Sequence, residues 1–155
     1  MHLEAMTDAH FAWLLGEGEP PPSAPRIAEG GLAPAEIIEL LRGVAAEVGG
    51  EAAWLMVSDG EAVGMISIKE RDAAGRWDIG YGVASSRERR GHATAAVAAL
   101  KAIAQDTGAT GLTAETLPDS GASPRVLRRN GFVCTGQFDH PEDGWVDQWL
   151  VEWAK

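Results

Sequence analysis

Ile79-Gly80-Tyr81-Gly82-Val83, followed after a basic turn (Arg87, Glu88, Arg89, Arg90) by Gly91-His92-Ala93-Thr94, is the stretch on which the fold turns. It reads as an apolar strand, a short connection and a helix whose first turn is built from glycine and small residues. A helix start with little side chain in the way leaves unpaired backbone N–H groups and the positive end of the helix dipole open, and such an end binds phosphate. Arg89 and Arg90 add cationic donors for the same anion. His92 stands inside this loop with no histidine or cysteine partner at ligand spacing, so it is expected beside the anion and no metal site is expected.

Outward from this stretch, the pattern predicts alternating strands and helices. Leu3 to Leu15 reads as a short strand and a helix whose apolar face is Phe11, Leu14 and Leu15. Gly16 to Pro25, with four prolines, reads as a loop. Pro34 suits a first helical turn, and Ile37, Ile38, Leu41, Val44 and Val48 recur at helical spacing until Gly49-Gly50. Trp54 to Val57 and Ala62 to Ile68 flank Asp59-Gly60, a hairpin signal, and Arg76 to Val83 supplies a third strand. Ala93 to Thr107 is an expected helix with Gly108 as its stop, and Leu112 to Thr116 an expected strand. Ser123-Pro124 reads as an N-cap and first-turn proline of a helix ending at Asn130-Gly131. Trp145, Trp149 and Trp153 fit either helical or strand spacing; strand is chosen, paired with Phe132 to Phe138.

Two motifs carry a resemblance. Arg89-Arg90-Gly91-His92-Ala93-Thr94 resembles the acyl-CoA pyrophosphate loop of the GNAT superfamily of N-acetyltransferases, whose pattern is Gln/Arg-x-x-Gly-x-Gly/Ala. Gly91 and Ala93 fall on the small positions, and Glu88 stands where glutamine or arginine is usual. Ala122 to Phe132 resembles the family's Asn-x-Ala-Ser-x-x-x-Leu-x-x-x-Gly-Phe signature, with Ser120 at the asparagine position and Leu127 where many members carry a tyrosine acid. The chain looks most like the ribosomal-protein alanine N-acetyltransferase branch, which also includes small-molecule enzymes. The resemblance implies one α/β domain over residues 1–155, with a mixed, mostly antiparallel sheet, splayed central strands and flanking helices. It implies acetyl-CoA as cosubstrate, a primary amine as acceptor, and cofactor contacts from Val83, Arg89, Arg90, Gly91, His92, Ala93, Thr94, Ser120 and Ser123. It also implies that the proline-rich segment lies over the acceptor site as a lid.

Acetyl transfer to an amine requires orientation of two reactants, removal of a proton from the ammonium and polarisation of the thioester carbonyl. Glu115, near the end of a strand bordering the splay, is the leading candidate base because partial desolvation would raise its pKa. Asp78 on the preceding strand is the alternative, and deprotonation through water is a third. Departures at Glu88, Ser120 and Leu127 motivate a different class of function, a non-catalytic acyl-CoA-binding module.

Composition bounds the partners. A chain of 155 residues with 45% hydrophobic and 23% charged content is expected to form one globular domain. No apolar run is long enough to span a bilayer, and the first residues have neither a basic leader nor an apolar core, so a cytoplasmic protein is expected. The net charge of −10 argues against nucleic acid and suits a cationic acceptor. Glu17, Glu19, Asp139, Glu142, Asp143 and Asp147 are expected to make the rim of the acceptor cleft acidic. Self-association as a homodimer is left open. The single cysteine, Cys134, rules out an internal disulfide and is expected to be a buried small hydrophobe.

Overall fold

The computed structural model describes residues 1–118 and 121–153. Ser120, expected to contact the cofactor, lies outside the described residues. The elements in chain order are β1 (His2–Ala5), α1 (Asp8–Leu14), β2 (Arg26–Ile27), α2 (Ala35–Val48), β3 (Ala53–Ser58), β4 (Glu61–Arg71), β5 (Arg76–Val83), α3 (His92–Thr107), β6 (Gly111–Thr116), α4 (Ala122–Arg129), β7 (Val133–His140) and β8 (Gly144–Glu152). A 3-10 turn, Ser85–Arg87, joins β5 to α3.

The strands form a sheet in the order β1-β3-β4-β5-β6-β8-β7, and β2 adds in parallel to the start of β4, beyond the end of β5. All other pairings are antiparallel except that of β5 with β6. This is the expected mixed, mostly antiparallel sheet. Local chemistry explains its turns. Asp59 (φ 52°) and Gly60 (φ 75°) both adopt the left-handed conformation that a tight β3–β4 hairpin needs. Gly108 (φ 97°) ends α3, and the next amide, that of Ala109, bonds back to the Ala104 carbonyl at 2.9 Å.

Apolar side chains fill both sides of β3 and β4. On one face Trp54, Met56, Ile66, Ile68, Ile79 and Leu112 pack with Val97 and Leu100 of α3 and Leu127 of α4. On the other, Leu55, Val57 and Met65 pack with Phe11 of α1 and Ile38 of α2. Burying each such side chain is worth about 1.5–3 kcal/mol before its ordering entropy. On the second face α1 and α2 cover β3 and β4, and the residues that β5, β6 and β8 present there include Asp78, Thr113, Glu115 and Gln148.

Three local expectations change. Pro34 stands one residue before α2, at the N-cap. Ser123 is not an N-cap: α4 begins at Ala122 after Gly121, which places Ser123 and Pro124 inside the first turn. Cys134 is exposed, because β7 is the edge strand beyond β8 and Val133 through Asp139 are exposed along its length. Its apolar neighbour Phe132 is the residue that turns into the core. Trp145 and Trp149 do lie on a strand, Trp149 buried and Trp145 exposed near the hairpin turn, while Trp153 stands one residue past the end of β8.

Candidate active site

The site arises where β5 and β6 part. These strands pair only at Arg76↔Gly111, Trp77↔Leu112 and Asp78↔Thr113. Beyond that rung β5 continues to Val83, held by β4 on its other edge, and β6 continues to Thr116, held by β8. Among the described residues, the edge of Ile79 to Val83 that faces the splay thus has no partner strand. Buried backbone groups must be satisfied, so such an edge suits an extended ligand that carries amides.

A cavity of about 900 Å3 opens at the wide end of the splay. Tyr81, Gly82 and Val83 of β5, Glu88, Arg89, Gly91, His92, Ala93 and Thr94 of the loop and α3, and Ser123, Arg125 and Arg129 of α4 are among its lining residues. The first bond of α3 runs from the Ala95 amide to the Gly91 carbonyl at 3.0 Å, leaving the amides of His92, Ala93 and Thr94 ahead of it. Gly91 (φ 79°) takes a left-handed conformation, and a Cβ there would meet no atom within 4 Å. Arg89 is also left-handed (φ 64°), a strained state for a residue with a side chain. The residues present therefore fit a ligand that combines an anionic diphosphate with an amide-bearing arm.

Several contacts hold this loop. Arg87 Nε and Nη2 donate to the two Glu61 carboxylate oxygens at 2.6 and 3.2 Å, and Ser86 Oγ donates to the Glu29 carbonyl at 2.6 Å. The Arg87 guanidinium keeps the Glu61 carboxyl below the usual range. Asn130 Nδ2 donates to the Thr94 and Val126 carbonyls at 3.2 and 3.0 Å and so joins α3 to α4. Burial, then the nearby Arg90 charge, lower the His92 pKa, which leaves a neutral imidazole at neutral pH. Arg90 does not line the large cavity. It turns to a smaller one of about 210 Å3 shared with Arg26, Asp59, Glu61 and Arg87. Glu88 is exposed at the rim of the large cavity.

Across the sheet, a cavity of about 320 Å3 holds both candidate bases. Asp78 and Glu115 line it with Glu70, Asp72, Arg76, Thr113 and Gln148. Thr113 Oγ1 donates to Asp78 Oδ1 at 3.0 Å across the last paired rung. Burial raises the Asp78 pKa above its usual value, the Lys69 charge and the Thr113 bond pull it down, and the Glu115 and Glu70 charges push it up. Asp72 is spoken for by Arg76, whose Nε reaches it at 2.8 Å. None of the acidic residues expected to rim the cleft lines this cavity. Glu17 faces Arg42 at 3.3 Å and Asp143 faces His140 at 3.6 Å. Beside the two bases named from the sequence, Asp78 of β5 and Glu115 of β6, the carboxylates come from Glu70 of β4 and Asp72 of the turn after it, which the sequence alone does not single out. Arg125 and Arg129 were also missed, although their spacing of four puts both on one helix face. Among the described residues no cluster of three or more His, Cys, Asp or Glu is arranged for a metal ion, and no helix is long and apolar enough to cross a membrane.

Comparison with known proteins agrees with this geometry. The chain resembles the RimL ribosomal-protein α-N-acetyltransferase solved with coenzyme A (18% identity, TM-score 0.72, 97% of this chain and 92% of that one). It also resembles a ribosomal-protein-alanine N-acetyltransferase from Brucella melitensis (16%, TM-score 0.70, 99% and 100%). An aminoglycoside acetyltransferase, AAC(6')-Ib, solved with coenzyme A is similar as well (18%, TM-score 0.68, 97% and 94%). No curated protein sequence matches the chain. Residues 3–133 match the acetyltransferase (GNAT) domain family, so the splayed sheet and its glycine-led helix start belong to a member of the GNAT acetyltransferases.

Proposed function

We propose that this protein transfers the acetyl group of acetyl-CoA to a cationic primary amine by direct attack. The observation that carries the reading is the splay between β5 and β6, with a cavity on each side of the sheet. On the wide side the amides of His92 to Thr94, with Arg89, Arg125 and Arg129, offer donors to phosphates, and the free edge of β5 to Val83 offers backbone partners to the pantetheine arm. Coenzyme A in three of the similar structures supports this assignment. Ser123 lies within the same lining, next to the arm's expected path.

On the other side Asp78 and Glu115 share the work of proton removal. Asp78 is the better supported base, since its burial raises its affinity for a proton, and Glu115 contributes the negative charge that raises it further. Thr113 fixes the direction of the Asp78 carboxylate. An ammonium entering this cavity meets carboxylates, loses a proton to Asp78 and attacks through the splay. The proline-rich segment from Gly16 to Pro25 does not line this cavity and leads into β2, which pairs with Glu61 and Ala62 at the other end of β4 from Glu70, so it is not assigned as its cover. Thiol release from acetyl-CoA against a panel of polyamines, aminoglycosides and peptides with a free N-terminal alanine tests the reading. Acetylation of at least one cationic amine is expected. CoA binding without transfer to any amine would favour a binding module instead.

A further inference from the structure

We propose that Glu61 is a positioning residue for the CoA diphosphate: through Arg87 it holds the loop before α3 in the form that accepts phosphate, an assignment that rests on the acetyl-CoA reading above. The loop is strained where it meets the anion. Arg89 (φ 64°) and Gly91 (φ 79°) are both left-handed, and a left-handed residue that carries a side chain persists only where its surroundings over-determine it. Glu88, Arg89 and Arg90 are exposed, so their course follows from where the two ends of the loop are held. The downstream end is α3 itself. At the upstream end the Ala84 amide donates to the Val63 carbonyl at 2.7 Å, Ser86 Oγ donates to the Glu29 carbonyl at 2.6 Å, and Arg87 grips Glu61.

The base of this clamp is fixed. Glu61 opens β4 directly after the hairpin turn, and its backbone registers with Ser58 of β3 on one side and Arg26 of β2 on the other. Arg87 lines both the large cavity and the smaller one beside it, yet its guanidinium is committed to protein acceptors. Nε and Nη2 donate to the two Glu61 oxygens at 2.6 and 3.2 Å, and Nη1 donates to the Ser86 carbonyl at 3.0 Å. A planar guanidinium held along two edges fixes direction as well as distance. Arg87 thus acts as a strut, and Arg89, two residues on, lines the large cavity with its left-handed backbone set by that strut. Ser86 supplies a second strut, to the segment that follows β2.

Charge alone predicts the opposite sign. A carboxylate near a diphosphate repels it, so if Glu61 acted through its field, neutralising it would tighten CoA binding. Acting as the anchor of a strut, Glu61 strengthens CoA binding, and its loss weakens it. The effect is confined to the nucleotide end of the ligand, because the strand offered to the pantetheine arm, Ile79 to Val83, is held independently by its pairing with Gly64 to Ile68 of β4.

Glu61→Gln keeps the size of the side chain while removing its charge and one acceptor oxygen. Titration calorimetry of the full chain with CoA and with pantetheine, the same arm without the nucleotide diphosphate, needs no acceptor. The Kd for CoA should rise roughly tenfold, while that for pantetheine changes by less than about threefold. In the transfer assay the preference for acetyl-CoA over acetyl-pantetheine, as a ratio of kcat/KM, should fall by the same factor. Ser86→Ala removes the second strut with no change of charge and should weaken CoA selectively too, by about threefold. A Glu61→Gln variant that binds CoA as tightly as the wild type, or more tightly, would overturn the proposal. Equal weakening of both ligands would overturn it as well, since that marks a general loss of structure. Should Glu61→Gln fail to fold, Ser86→Ala decides alone, and unchanged CoA binding there counts against the clamp. Equal Kd values for CoA and pantetheine in the wild-type protein would instead refute the phosphate loop itself, and the clamp with it.

Discussion

Replacing Gly91 with valine separates the free protein from its cofactor complex. Gly91 precedes α3 with φ 79°, and a Cβ there meets no atom within 4 Å. The protein itself therefore has room for the new side chain, and the cost to the unliganded state is the left-handed backbone alone, about 1–2 kcal/mol. For a chain of this size each kcal/mol lowers Tm by roughly 2–4 °C, so a fall of about 2–8 °C is expected. On the proposed reading, the open space around that Cβ is the space the phosphates need. In the wild type, acetyl-CoA at 100 times its Kd adds about 2.7 kcal/mol, or roughly 5–11 °C. The valine variant should lose that rise, and alanine should keep part of it at a similar cost to the free protein. Thermal melts with and without acetyl-CoA measure both. A valine variant that still rises as the wild type does would refute the phosphate loop. A free-protein loss well beyond about 8 °C would refute the claim that the space is empty.

Asp78→Asn should lower kcat roughly 10²- to 10⁴-fold and raise stability at neutral pH. The folded pKa of Asp78 lies above its usual 3.8, so its ionisation disfavours the fold, and that penalty appears as pH rises from about 3.8 through the raised value. The variant's stability advantage should therefore vanish below about pH 3.8, and denaturant melts across pH check the sign. Gly64→Ala should destabilise the protein by about 1–3 kcal/mol and weaken acetyl-CoA binding, because the new Cβ falls 2.5 Å from the Gly82 carbonyl oxygen and 2.9 Å from Met56 Sδ. Binding isotherms that match the wild type would show that β5 does not move. For a cationic acceptor, kcat/KM should fall between 0.1 M and 1 M salt as the Debye length shortens from about 10 Å to about 3 Å, and a flat salt profile would remove electrostatic steering.

Local chemistry made the sheet, its turns and the glycine-led start of α3 legible in the sequence. Asp59-Gly60 can hold two successive left-handed residues, Gly49 and Gly108 can end helices in positive φ, and Gly91 with Ala93 leaves helix amides uncovered. Each depends on neighbours within a few positions, and the two motifs named the family from those same residues. Tertiary structure decided what depends on distant partners. Cys134 has apolar neighbours, yet it is exposed because its strand fell at the sheet edge. Arg90 and Arg89 are adjacent, yet only Arg89 lines the large cavity, because its left-handed backbone turns successive side chains apart. Glu17, Glu19 and the acidic residues near the C-terminal hairpin were expected to join the two candidate bases, whereas the cavity that holds Asp78 and Glu115 is completed by Glu70 and Asp72. The proton affinity of Asp78 follows from burial between β4 and β6 and from the Thr113 hydroxyl one strand away. Such fields fall off with distance in space, and distance along the chain carries no record of them.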